Sequence, residues 1–226
     1  MTTFSNLAPP AGNKLFNAFK QGVVQSRSRK AGNCAAVALI KAAIGTYGLH
    51  KVFEISERSS ELKLVTLRDN TSFEISDKEI AYAQTQSKFA PGDMGQTDIK
   101  EIFEYAQLCF AVLCKSYHLH SGRDEGFEIT VDNLNAGYST KTIYKLLGLP
   151  MKSVGNNPSY ELLQPYKHLV VWNTAHAVYY SEGFYDEAFD LGTPIERIEN
   201  LRKKHCSLAG RFVNGCKPRG AYLLVR

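Results

Sequence analysis

Apolar and polar positions change period several times along the 226 residues. From 34 to 44 the chain reads C-A-A-V-A-L-I-K-A-A-I, apolar on nearly every side of a helical wheel. Such a segment predicts a helix buried centrally rather than lying on a surface. Gly32 and Asn33 deliver the chain into it, and Gly45 and Gly48 predict its end. Before it, 14–21 predicts a short helix and 26–32 a basic loop. After it the period becomes two. Segments 51–56, 61–68 and 71–75 predict strands, with Asp69-Asn70 as a turn between the last pair. Ser76-Asp77-Lys78-Glu79 has the form of a capping box and predicts a helix to about 86. The stretch 51–90 thus forms a hairpin-plus-helix unit, a small subdomain or an insertion within one domain spanning 1–226.

Pro91-Gly92 breaks the chain. Ile99, Ile102, Phe103, Ala106, Phe110 and Leu113 then recur at helical spacing and predict a long helix over 98–117. A loop over 118–125, a short strand over 127–131, a helix over 139–147 and a loop over 156–166 follow. From 168 the pattern is strand-rich: H-L-V-V-W-N, then A-V-Y-Y, a turn at Ser181-Glu182-Gly183, Phe184-Tyr185, and a last strand over 221–226. A short helix is expected over 193–201. Helices dominate the first half and antiparallel strands the second, which predicts an α+β fold.

Composition narrows the class. Hydrophobic residues make up 44% and charged residues 22%, the balance of a globular domain. The net charge of +5 comes from scattered Lys and Arg, so a nucleic-acid partner is not expected. No run of 18 apolar residues appears, so no membrane span is expected. Residues 1–12 lack the basic and apolar regions of a signal peptide, which predicts a cytoplasmic setting, or export by a signal-independent route. Five cysteines at irregular spacing argue against a disulfide framework and leave one free for chemistry. Cys114 with His118 and His120, or His205-Cys206 with Cys216, lack paired metal-ligand spacing, and no phosphate-binding loop occurs, so no cofactor is expected.

Cys34 carries the chemistry. A thiol at a helix N-terminus meets partial positive charge and unpaired N–H groups, which predicts a lowered pKa and a place for an oxyanion. A nucleophilic Cys needs a base, and His176 stands at the head of a strand in N-T-A-H-A-V-Y-Y. A third group must orient the imidazole, and Asp186 and Asp190 follow on the next strand. If the turn centres on Glu182-Gly183, facing residues sum to about 365. His176 then faces position 189, beside Asp190, and Asp186 faces Tyr179.

G-N-C-A-A-V-A-L-I, followed far downstream by His-Ala-Val at a strand head and an Asp on the next strand, resembles the papain-like cysteine peptidase superfamily. The Gly-Asn-Cys start is similar to its calpain-like and bacterial effector branches. The F-Y-D-E-A-F phrase is similar to the F-x-D-P stretch bearing the acid in some effector members, which points to Asp186. The resemblance covers about 20 residues around Cys34 and about 25 around His176. It implies a papain-like fold and hydrolysis of peptide or isopeptide bonds in a protein or peptide substrate. Cys34 would be the nucleophile, His176 the base, and Asp190 or Asp186 the orienting acid. Papain-like enzymes also carry a Gln shortly before the Cys as oxyanion donor. Ser28 stands six positions before Cys34 here and Gln25 nine, so Gln25, the Asn33 side chain or the Cys34 N–H is left for that task. Trp172 and Asn173 would line the cleft. The same thioester could pass its acyl group to an amine, and a papain-fold module without the donor could serve binding alone.

Overall fold

The computed structural model describes residues 14–24, 29–30, 32–122, 126–173, 176–186, 196–197 and 218–225. In chain order the elements are α1 (Leu15–Ala18), β1 (Phe19–Gln21), β2 (Val23–Val24), β3 (Arg29–Lys30), α2 (Cys34–Tyr47), β4 (Glu54–Glu57), β5 (Leu62–Thr66) and β6 (Ser72–Ser76). Next come α3 (Asp77–Gln86), β7 (Phe89–Pro91), α4 (Thr97–His120), α5 (Phe127–Ala136), a 3₁₀ turn over Ile143–Leu147 and β8 (Met151–Asn156). The chain finishes with α6 (Tyr160–Leu163), β9 (Leu169–Trp172), β10 (Ala177–Ser181), β11 (Phe184–Tyr185), β12 (Glu196–Arg197) and β13 (Gly220–Leu224). The arrangement is mixed α+β with antiparallel sheets.

A six-stranded sheet, ordered β12-β11-β10-β9-β13-β8, forms one layer, and all its neighbours pair antiparallel. α2 lies against β10, β9 and β13, with α4 and α1 on its other sides. It is buried from Ala35 to Ile44 and again at Tyr47, as its nearly all-round apolar pattern requires. Among the described residues no helix is long and apolar enough to cross a membrane.

β4, β5 and β6 form a separate antiparallel meander that leads into α3. The capping box is present: Ser76 Oγ accepts from the Glu79 N–H (3.2 Å), and Glu79 Oε2 accepts from the Ser76 N–H (2.9 Å). Burial alone would raise the Glu79 carboxyl. Hydrogen bonds from Lys115 Nζ and Ser76 outweigh it and hold the group below the ordinary glutamate value.

Several local expectations are corrected. Residues 127–131 are not a strand. Phe127, Thr130, Val131 and Leu134 fall at helical spacing and are buried together in α5, so tertiary burial overrides the β-branched Ile-Thr-Val run. The expected helix over 139–147 contracts to the 3₁₀ turn. α6 lies in the segment read as loop, and β8 in a stretch given no element, where it escapes notice because it is a half-exposed edge strand with little alternation. The long helix α4 continues to His120. β12 lies inside the expected 193–201 helix, the rest of which is outside the described residues.

Gly45 does not end α2. A Cβ there would stand 2.2 Å from His168 Nδ1, so the glycine makes room for an imidazole that itself shares a hydrogen bond with the Tyr179 hydroxyl (2.7 Å). The helix ends two residues later, at Tyr47, and is capped by Gly48, whose φ of +100° suits glycine.

Two outcomes follow from this packing. Gly45→Ala, a change that ordinarily strengthens a helix interior by up to about 1 kcal/mol, is expected here to cost about 1–3 kcal/mol through overpacking, read from urea midpoints. The Glu79 contribution is present above the unfolded glutamate pKa and disappears as pH falls through the lower folded value. Glu79→Gln is therefore expected to flatten the acid limb of stability against pH between those two values.

Candidate active site

The turn before Cys34 is held from below. The Gly32 N–H donates to Asn135 O (2.7 Å), and a Cβ on Gly32 would meet Ala136 O at 1.9 Å, so only glycine permits this approach to the end of α5. Asn33 Nδ2 donates to Ser87 O (2.8 Å) and to Asn135 Oδ1 (3.1 Å). Asn135 Nδ2 donates in turn to Gln86 O (2.6 Å), and Gln107 Nε2 to Gln84 O (3.0 Å). The Asn33 and Asn135 amides thereby satisfy the Ser87 and Gln86 carbonyls at the C-terminal end of α3, where a helix leaves carbonyls unpaired. The turn that presents Cys34 is thus bolted to the end of a different helix, and the 51–90 unit reaches the cysteine through that contact.

This placement settles what the Asn33 amide does. Both its N–H bonds point inward to acceptors, and the side chain is buried. It has no donor left for an oxyanion, contrary to the sequence expectation. Gln25, the other side-chain donor considered, lies outside the described residues, as does Asp190.

Cys34 opens α2, half-buried, with Sγ 3.8 Å from Gly32 O. Burial is the largest influence on the thiol and pushes its pKa up. The N–H groups of Ala177, Ala35 and Cys34 point at the sulfur and work against that rise without cancelling it. The expected depression by the helix tip is therefore reversed: crowding around the sulfur outweighs the N–H groups, and the group rests as a neutral thiol.

The Ala177 N–H is the informative neighbour, because Ala177 directly follows His176. Trp172 and Ala177 face each other across β9 and β10, and the next pair outward is Asn173 and His176. The Asn173 N–H donates to His176 O (3.0 Å), and Asn173 Oδ1 accepts from the His176 N–H (3.0 Å). The four-residue connection is therefore closed by Asn173, which fixes the backbone of His176. In an antiparallel ladder hydrogen-bonded pairs alternate, so the Ala177 N–H turns away from β9, toward Cys34. His176 is half-buried and its Nε2 is enclosed. Trp172 packs on Tyr222 (ring centroids 5.5 Å apart) and over Gly220, where a Cβ would stand 2.2 Å from its ring. The structure thus gathers Cys34, His176, Asn173 and Trp172 at one end of the sheet.

Asp186 sits elsewhere. β10 and β11 pair as Tyr180 with Tyr185 and Ser181 with Phe184, the register the 365 sum requires. The Asp186 N–H donates to Tyr179 O (2.9 Å), three residues along from His176. Its carboxylate is buried, and Oδ2 takes the ammonium of Lys41, which is fully buried in the middle of α2. Lys41 Nζ also donates to Phe16 O (3.3 Å) and lies over the Phe19 ring (5.1 Å to its centroid). Burial pulls the Lys41 pKa down, and Asp186 opposes the fall without cancelling it. Sequence inspection missed Lys41, although a single charge inside ten apolar neighbours is the signal that could have exposed it.

Among the described residues no three His, Cys, Asp or Glu side chains gather closely enough to hold a metal ion. Cys109 and Cys114 are buried inside α4, and burial raises both thiols. No protein-family model, curated protein or solved structure matches the chain.

Asn33→Asp is expected to destabilise the fold by about 1–3 kcal/mol, since a carboxylate would face two oxygen acceptors in place of two donated hydrogen bonds. Asn33→Ala should cost less in repulsion but still leave Ser87 O without its donor. Denaturant unfolding of the two variants beside the wild type checks the order.

Proposed function

We propose that the chain is a thiol hydrolase of the papain-like type, which opens peptide or isopeptide bonds of a protein or peptide substrate with Cys34 as nucleophile and His176 as base. The observation that carries this reading is the N–H of Ala177, the residue after His176, directed at the Cys34 sulfur. Two segments more than 140 positions apart in the chain meet there, and they bring the two side-chain types that acyl transfer needs.

The chemistry follows from the resting state. Cys34 waits as a thiol, so its proton has to leave as attack begins. His176 accepts it, and the sulfur adds to the acyl carbon. Negative charge then develops on the former carbonyl oxygen. Backbone N–H groups at the tip of α2 are the donors at hand, since the Asn33 amide is committed elsewhere. The tetrahedral adduct collapses to a thioester as His176 returns its proton to the leaving amine. Water, deprotonated by His176, adds to the thioester, and Cys34 is released. Asn173 holds the backbone of His176 during both transfers. Asp190 is the favoured partner for the second imidazole nitrogen, because Asp186 is engaged with Lys41 and stands opposite Tyr179.

One observation favours a second reading, a binding module that keeps the fold without the reaction: the thiol is pushed up rather than down. Alkylation separates the two. Full-length wild type, Cys34→Ala and His176→Ala are treated with iodoacetamide across pH, and modified cysteines are identified by peptide mass spectrometry. At neutral pH the wild type is expected to lose Cys34 thiol roughly tenfold or more faster than His176→Ala, with the two converging in alkali where the thiol ionises unaided. Equal rates at neutral pH would leave Cys34 a packed side chain and favour the binding module.

A further inference from the structure

We propose that the buried Lys41–Asp186 ion pair sets the register of α2 against the β10–β11 hairpin, making Lys41 and Asp186 positioning residues for Cys34. The proposal rests on the Cys34–His176 reading of the site and adds residues that act through the nucleophile rather than on the substrate.

The apolar contacts along the middle of α2 are poor at fixing a position, and its other directional contacts lie at its ends: Asn33 and Gly32 just before the tip, and Tyr47, whose hydroxyl donates to Val225 O (2.7 Å). Ala35, Ala36, Ala38, Ala42 and Ala43 are small and buried, beside Val37, Leu39, Ile40 and Ile44. Burial of apolar surface has no direction. A helix with so smooth a surface gains nearly the same burial after a small slide or rotation. An ion pair has direction, and it is a costly choice on any other ground. Both charges are taken wholly out of water, and replacing such pairs with apolar residues is often neutral for stability. Asp186 Oδ1 adds to the cost, since it is buried with no hydrogen-bond partner among the described residues.

Its location gives the pair leverage. Residues seven apart share one helix face, so Lys41 lies two turns below Cys34, about 10 Å along the axis. Asp186 is tied through its N–H to Tyr179, two residues from Ala177 on the same strand. The sulfur contact at Ala177 and the ion pair near Tyr179 therefore join the same helix face to the same strand at two levels. The ends of α2 are anchored by Asn33 and Tyr47, and the ion pair adds the directional contact in its middle, where apolar surface alone would otherwise meet the hairpin. Lys41 Nζ is held from a further direction by Phe16 O.

The test uses the full chain and the double variant Lys41→Met/Asp186→Leu, which removes both charges while keeping volume. Three readouts are taken: cooperative unfolding, amide exchange at Ala177, and the neutral-pH alkylation rate of Cys34 with and without His176→Ala. Unfolding is expected to remain cooperative. Ala177 exchange should rise roughly tenfold or more while Val170 and Val171 keep their protection, and the His176 dependence of alkylation should largely vanish. A folded double variant with native Ala177 exchange and native His176 dependence would overturn the proposal. If the double variant does not fold, Asp186→Glu decides: it keeps both charges and lengthens the arm by one methylene. Raised Ala177 exchange in a cooperatively folded Asp186→Glu protein supports the proposal, and unchanged exchange and alkylation overturn it. Should wild-type alkylation already ignore His176, the hydrolase reading fails, and Ala177 exchange alone decides whether the pair sets the register.

Discussion

The close seating of α2 on β10 is the contact from which the rest of the site takes its shape. Alanines at 35, 36, 38, 42 and 43 let a helix and a strand approach with little between them, and Gly45 extends that closeness to the imidazole of His168. Only at such short range can a backbone N–H of the strand reach a sulfur on the helix. The same closeness crowds the thiol and raises its pKa. Nearness to the His176 strand and loss of water around the thiol are thus two results of one packing arrangement, which leaves a neutral thiol rather than a stored thiolate.

The second constraint acts at the tip of the helix. The 51–90 unit looks separable in the sequence, with its own hairpin, meander and capped helix. In the folded chain the end of α3 is where Asn33 and Asn135 dock, so the unit forms part of the cysteine turn's foundation. Asn33 precedes Cys34 and is polar, which drew attention to it as an oxyanion donor. Its real partners, Ser87 O and Asn135 Oδ1, lie 54 and 102 positions away.

What was legible in the sequence follows range. α2 was legible because its apolar pattern runs nearly all round the helix, the capping box because its four residues are adjacent, and the β10–β11 register because a tight turn fixes it. Cys34 and His176 stood out by residue type and local setting. α5 was misread because Ile129, Thr130 and Val131 favour strands locally, and burial against α4 and α3 decided otherwise. Lys41 was passed over because its partner is 145 positions away, and the thiol's raised pKa because it depends on packing that no local pattern records.

The burial of α2 on all sides also shapes how the chain is made. The helix leaves the ribosome before its cover, since β9, β10 and β13 and the Asp186 carboxylate are encoded more than 120 residues later. Until they arrive, a long apolar surface has no native partner, and contacts of such wide separation form late. In that interval Lys41 is a solvated charge in the middle of the most adhesive segment of the nascent chain, the place where a gatekeeping charge discourages association. A residue that ends fully buried thus begins as a solvated charge on its helix.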